Sequence, residues 1–254
     1  VEEKKEAEKS RFNMFFVLAF SGSVIGVLAG LSAMTAGFGS RLGLWNFRTG
    51  FDILRYAAYG GIVAVPLAAA GVVFGGKKRL KRLAVALPGV AVGLAVIVTL
   101  GNMWIKARTL PPIHDITTDI NNPPQFAALL PLRAGATNPA VYGGAEVAIK
   151  QLQAYPDIKP LVLNVPADQA YDQALASARR MGWDIVSDDK KDLRMEATDT
   201  TFWFGFTDDI VVRVTPAGQR SIIDIRSESR VGRSDLGKNA ERIREFLARL
   251  HGNA

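Results

Sequence analysis

The stretch FNMFFVLAFSGSVIGVLAGLSAMTAGFGS, from Phe12 to Ser40, decides the architecture. Its 29 residues include no charged side chain. About 20 apolar residues cross a ~30 Å hydrocarbon core as a helix. The apolar core of a secretory signal is shorter, about 7–15 residues. Two more uncharged stretches follow, Tyr56 to Gly76 with 21 residues and Leu83 to Ile105 with 23. Three transmembrane helices are therefore expected within residues 12–106, preceded by a short segment, residues 1–11.

Charge sorts along the same division. Residues 1–106 hold 13 Lys/Arg against 5 Asp/Glu, and residues 107–254 hold 18 against 19. The net +7 thus sits entirely in the first part, beside apolar segments, where it signals topology. The remainder is nearly neutral and lacks the basic footprint of a nucleic-acid binder, so no nucleic-acid partner is expected. With no cysteine in the chain, disulfides, thiolate zinc sites and thiol nucleophiles are excluded.

Orientation follows from the flanks. Lys4, Lys5, Lys9 and Arg11 precede the first span, and Lys77, Lys78, Arg79, Lys81 and Arg82 separate the second from the third. Three spans put these nine on one side, opposite Arg41, Arg48, Arg55, Lys106 and Arg108. Basic flanks stay in the cytoplasm. The expectation is a multi-pass protein of a bacterial inner membrane, with a cytoplasmic N-terminus and a periplasmic C-terminal domain. No ionisable residue falls inside a span, which argues against a transporter or channel. Gly22, Gly26 and Gly30 share one helix face, and Gly89 and Gly93 repeat the spacing. Such residues allow close helix approach, in the first instance among this chain's own helices. Pro66 interrupts the second span, and Trp45, Phe47 and Phe51 in the first loop suit a membrane interface.

Residues 107–160 form a connector with eight of the twelve prolines between 109 and 160. Proline removes backbone donors, so long helices and central strands are disfavoured there; one short helix near Ala145–Gln153 is expected. Its apolar residues, among them Phe126, Leu129 and Tyr142, suit packing on its own domain or a partner. Within it, IHDITTDINNPPQF places His114, Asp115 and Asp119 close together. Asx- and ST-type turns account for that pattern more simply than a metal or acid–base site, and no metal or cofactor is expected.

The domain at 161–254 reads as strand, helix, four strands and helix. Leu161–Val165 is a short apolar strand, and Ala167–Met181 is a helix with Tyr171, Leu175 and Ala178 in one stripe. Trp183–Ser187 follows. Leu193, Met195 and Ala197 then alternate with Arg194, Glu196 and Thr198, the pattern of a strand with one solvent face. Phe202, Phe204 and Phe206 alternate with Trp203 and Gly205. Ile210–Thr215 and Ser221–Ser227 flank a turn, and a last helix carries Leu236, Ala240, Ile243, Leu247 and Leu250. Short turns between strands imply an antiparallel sheet with helices on one face, an α+β layer.

The densest motif is DIRSESRVGRSDLGKNAER, Asp224 to Arg242. Arg226, Arg230 and Arg233 are expected near the N-terminus of the last helix, capped by Ser234 or Asp235. An anion or ligand site built from Arg226, Ser229, Arg230, Arg233, Ser234, Asp235, Asn239 and Arg242 is one reading. The favoured one is an ion-pair network with Asp224, Glu228 and Asp235. A catalytic serine, Ser229 or Ser234 with Lys238, lacks the spacing of a nucleophile–base set.

RSESRVGRSDLGKNAERI, GFTDDIVVRV and HDITTDINNPPQF together resemble a bacterial and plastid family of unknown function, number 1499, over roughly residues 109–250. Many of its members have cysteines and serines where this chain has TTDINNPP. The resemblance implies no established activity. It adds Asp208 and Asp209 to a second candidate cluster with His114, Asp115 and Asp119. Three functions are open. The first is a non-enzymatic accessory protein that docks on another membrane or periplasmic protein or complex, or on itself. The second is a binding module for an anionic small molecule or lipid headgroup. The third is a hydrolase-like enzyme using His114 with Asp115 or Asp119.

Overall fold

The computed structural model describes residues 2–75 and 79–251, with no account of the side chains of residues 4, 5 and 7–13. Lys77 and Lys78, invoked for orientation, fall outside the described residues, as do the side chains of Lys4, Lys5, Lys9 and Arg11. The chain divides into two compact units, residues 1–105 with 202–205, and residues 106–201 with 206–254.

The first unit contains three helices, α1 (Glu2–Arg41), α2 (Phe47–Val73) and α3 (Arg79–Thr109). All three are long and apolar enough to cross a membrane, with Met14–Arg41 the apolar part of α1. Asn46 begins α2, its side chain accepting from the Arg48 N–H at 2.9 Å, the usual service of an N-cap. The helices continue through Pro66 and Pro88. Small residues meet between helices. A side chain at Gly22 would collide with Ala64 and Ala68 of α2. One at Gly26 would strike the backbone of Gly89 on α3, and one at Gly30 would strike Val92. Gly93 faces Val65 and Gly61 of α2. The Gly89 N–H donates to Ser23 Oγ at 3.2 Å, so a serine of α1 serves the backbone beside Pro88, as membrane helices require. Arg82, one of the basic flanking residues, is fully buried beside Gly75.

The second unit is a six-stranded antiparallel sheet with helices on one face. Its strands are β1 (Asp115–Thr117), β2 (Leu161–Leu163), β3 (Asp184–Asp189), β4 (Arg194–Thr200), β5 (Thr207–Ala217) and β6 (Arg220–Ser229). The order is β1-β6-β5-β4-β3, and β2 also pairs with β6. Both β1 and β2 lie along β6's outer edge, Asp115 opposite Glu228 and Leu161 opposite Ile223. Helices α4 (Gly144–Ala154), α5 (Ala167–Arg180) and α6 (Lys238–His251) complete the unit, with one 3-10 turn at Leu130–Arg133. Alternation places Ile223 and Ile225 of β6, and Ile210, Val212 and Val214 of β5, in one core with Tyr171, Ala174, Ile243 and Phe246 from α5 and α6. Trp183 stacks on Phe246 with ring centroids 5.1 Å apart.

Three expectations change. The proline-rich connector supplies a strand, β1, as well as α4. The last helix begins at Lys238, and Leu236 precedes it with a φ of 54°. The alternating aromatics, outside the expected strands, begin with a turn at residues 202–204, between β4 and β5. The supposed solvent face of β4 is also covered, because Glu196 is 1% exposed.

Candidate functional site

What covers that second sheet face is the connector, and the cover is polar. Proline-rich backbone cannot satisfy its own carbonyls by a regular ladder, yet buried carbonyls need donors. Arginines of the strands provide them. Arg226 of β6 donates to Pro124 O at 3.3 Å and Ala140 O at 2.9 Å. Arg213 of β5 donates to Asn122 O at 3.1 Å, and Arg194 of β4 donates to Gln125 O. Connector N–H groups find the complementary acceptor in Glu196, whose carboxylate takes Ala127, Ala128 and Leu129 N–H at 2.9–3.1 Å. The Gln151 side chain of α4 acts as a surrogate strand for β1. It accepts from Thr117 N at 3.0 Å and donates to Thr117 O at 2.6 Å.

Charge balance accompanies this exchange. Arg226 is fully buried and forks onto Asp115, at 2.9 and 2.8 Å, and reaches Glu228 at 3.2 Å. Its guanidinium carbon lies 4.7 Å from the Phe126 ring centroid and 5.6 Å from that of Tyr142, a cation held between aromatic rings. Burial pushes the Tyr142 phenol up to about 12. Arg133 of the connector bridges Glu228 at 2.8 Å and Asp209. Asp209 also accepts a double contact from Arg230, at 2.8–3.1 Å. Arg213 pairs with Asp119 and Asp224 at 3.1 and 2.9 Å.

The other face of β6 carries a second network against α6. Ser227 Oγ donates to Asn239 Oδ1 at 2.7 Å, and Asn239 Nδ2 reaches Ser229 Oγ at 3.0 Å and His114 O at 2.9 Å. Arg242 joins Ser227 Oγ at 3.0 Å and grips Asp199 and Asp208, each at 2.7 Å. The Asp235 carboxylate accepts from Gly237 N and Asn239 N at 2.9 and 2.7 Å. A residue's own anion therefore occupies the position at which an external anion would meet α6. Gly237, at φ 84°, makes the tight approach to that helix possible. Ser234 Oγ accepts from Leu236 N at 3.2 Å, and Arg233 is exposed.

The expected convergence of Arg226, Arg230 and Arg233 at the helix start gives way to this arrangement. Strand alternation sends Arg226 and Glu228 under the connector and Ser227 and Ser229 towards α6. Arg226 and Arg230 still share a network, through Glu228, Arg133 and Asp209. Asp119 closes an Asx turn, accepting from Asn121 N and Asn122 N at 3.1 and 2.9 Å. His114 lies next to Ser229, which donates its N–H to His114 O at 2.9 Å; the ring Nδ1 is buried without a hydrogen-bond partner among the described residues. Sequence reasoning passed over Arg133, Arg213, Glu196, Asp199 and Gln151. A charged residue inside an apolar run, as in Leu-Pro-Leu-Arg133, was the available signal.

Glu228 carries a pH signature. Burial, reinforced by Asp115, pushes its carboxyl from 4.5 up to about 8, against the pull of Arg133 and Arg226. Across that interval the folded domain holds a proton the unfolded chain has released, so stability falls as pH rises. Below it both states are protonated and the contribution is constant; above it the cost of the buried charge is complete. Glu228→Gln is expected to flatten the change in urea midpoint between about pH 5 and 8. A slope equal to wild type would place the dependence elsewhere.

Together these features define a class: an antiparallel α+β domain, carried behind three membrane-length helices, whose arginine motif holds a proline-rich cover on its sheet. The model of the family described as "Protein of unknown function (DUF1499)" matches residues 115–250, and the chain belongs to that family. No curated protein matches the chain.

Proposed function

We propose that this is a non-enzymatic accessory protein of a bacterial inner membrane. Its N-terminus lies in the cytoplasm, and its α+β domain docks in the periplasm on another envelope component. One observation carries the reading: the buried and half-buried residues of the family motif are engaged with this chain's own atoms. Arg226 and Arg230 hold Asp115, Glu228 and Asp209, and Arg242 holds Asp199 and Asp208. A motif so engaged builds the domain rather than gripping a substrate. Exposed apolar side chains at Leu130, Leu132 and Val141 of the connector, and at Ile149 and Leu152 of α4, support an interaction surface. The nine basic residues against five support the orientation.

The test uses the full chain in cells, with a photocrosslinking amino acid at Val141 or Leu132. A discrete adduct at these positions, absent at Lys191, is expected, together with a complex of matching mass after gentle extraction. Recovery only as a lone monomer without adducts would overturn the docking role. A C-terminal reporter active only outside the cytoplasm should be active; activity of a cytoplasm-dependent reporter would reverse the orientation.

A further inference from the structure

The turn between β4 and β5 reads Phe202-Trp203-Phe204-Gly205, and these four residues cluster with α1 and α2 of the first unit. Two of the three aromatics are seated in that unit. The Trp203 indole N–H donates to Met34 O at 3.3 Å, and its ring fills the space beside Gly37. Phe204 lies beside Gly50 and packs on Phe51, ring centroids 5.2 Å apart. Gly205, at φ 71°, turns the chain back. The third behaves differently. Phe202 has its carbonyl held by Arg41 at 2.7 Å and its ring edge-on to Phe38 at 5.4 Å, yet it is 77% exposed. Leu42 and Leu44, just past the end of α1, are 72% and 69% exposed.

The position of this apolar tip identifies what covers it. It lies at the Arg41 end of α1 and the Phe47 end of α2, where two membrane-length helices leave their apolar stretches. Trp45 is there too, its indole donating to Ala36 O at 3.1 Å. Aromatic rings with polar handles, and arginines whose stems reach past apolar surface, are the residues that settle at the headgroup level of a bilayer. Exposed apolar side chains, among them Val17, Leu28, Leu31 and Met34, run along α1 towards its Arg41 end. We propose that this tip is a lipid contact: Phe202, with Leu42 and Leu44, lies in the interfacial layer of the bilayer that the helices cross. The partner is the boundary between headgroups and acyl chains. This contact requires neither a particular side of the membrane nor a docking partner.

The absence of native cysteine gives a clean test. A nitroxide is attached at Phe202→Cys in the full chain, reconstituted in phospholipid nanodiscs, and its collisions with oxygen and with a water-soluble nickel chelate are compared. Lys191→Cys, in the β3–β4 turn, gives the aqueous reference. The expected result is a several-fold shift towards oxygen at Phe202→Cys relative to Lys191→Cys. A nickel accessibility equal to that of Lys191→Cys would overturn the proposal, and so would a label shielded from both reagents, which would mean protein covers the tip. If Phe202→Cys does not reconstitute, Leu42→Cys and Leu44→Cys give the same decision, because both belong to the proposed contact.

Discussion

Arg226→Leu is expected to unfold the α+β domain under conditions where the native chain is stable. Leucine matches the apolar environment of Phe126 but leaves Asp115 without its guanidinium, Glu228 with Arg133 alone, and the Pro124 and Ala140 carbonyls without a donor. Removing one partner of a buried ion pair costs about 3–5 kcal/mol, a large share of the roughly 5–15 kcal/mol that holds a domain together. Arg226→Lys keeps the charge but loses the planar fork onto Asp115, so an intermediate loss is expected. Arg233→Ala, at an exposed position, should stay within about 0.5 kcal/mol of the native chain. Hydrogen exchange of β5 and β6 amides in the full chain reads all three. Native-like protection in Arg226→Leu would show that the network is dispensable to the fold.

Gly26→Leu should separate α1 from α3. Even the first carbon of a side chain at Gly26 falls on the backbone of Gly89, and backbone has no rotamer into which to retreat, so the helices themselves must part. One turn further along, an ideal Cβ at Gly30 lies 3.7 Å from Val92 Cβ, inside the usual ~3.5–4.5 Å of a disulfide. Gly30→Cys with Val92→Cys should therefore crosslink on oxidation, free of background in a chain without cysteine. Adding Gly26→Leu is expected to reduce that crosslink from near completion to background, and Gly26→Ala should reduce it partly. An undiminished crosslink in Gly26→Leu would contradict the close approach.

The parts legible in the sequence are those governed by one-dimensional pattern. Charge-free runs set the helices, and short apolar runs, turns and alternation mark five of the six strands. β1 escaped because it spans only Asp115–Thr117 between prolines, and because its inward-facing Asp115 meets a partner, Arg226, far along the chain. The face of β4 was misread for the same reason: Glu196 looks like a solvent residue until residues 127–129 supply its N–H partners. The ion pairs of the arginine motif were anticipated in kind, but only Glu228 among the expected carboxylates meets Arg226. Asp224 goes to Arg213, its direct neighbour across the β5–β6 ladder, and Asp235 lies beyond the strand, at the helix start.

The pairing of β1 with β6 has a consequence for how the domain forms. Asp115 emerges early from the ribosome and Glu228, its partner across the ladder, among the last residues of the sheet. Until β6 arrives, the connector lacks Arg226 and β5 has no neighbour on that side, so little of the polar layer can exist in part. High contact order of this kind slows folding, because the entropy of closing a long loop must be met before the contacts reward it. The nascent domain should thus remain open and hydrated through most of its synthesis and close late in a single cooperative step, with the helices already complete behind it.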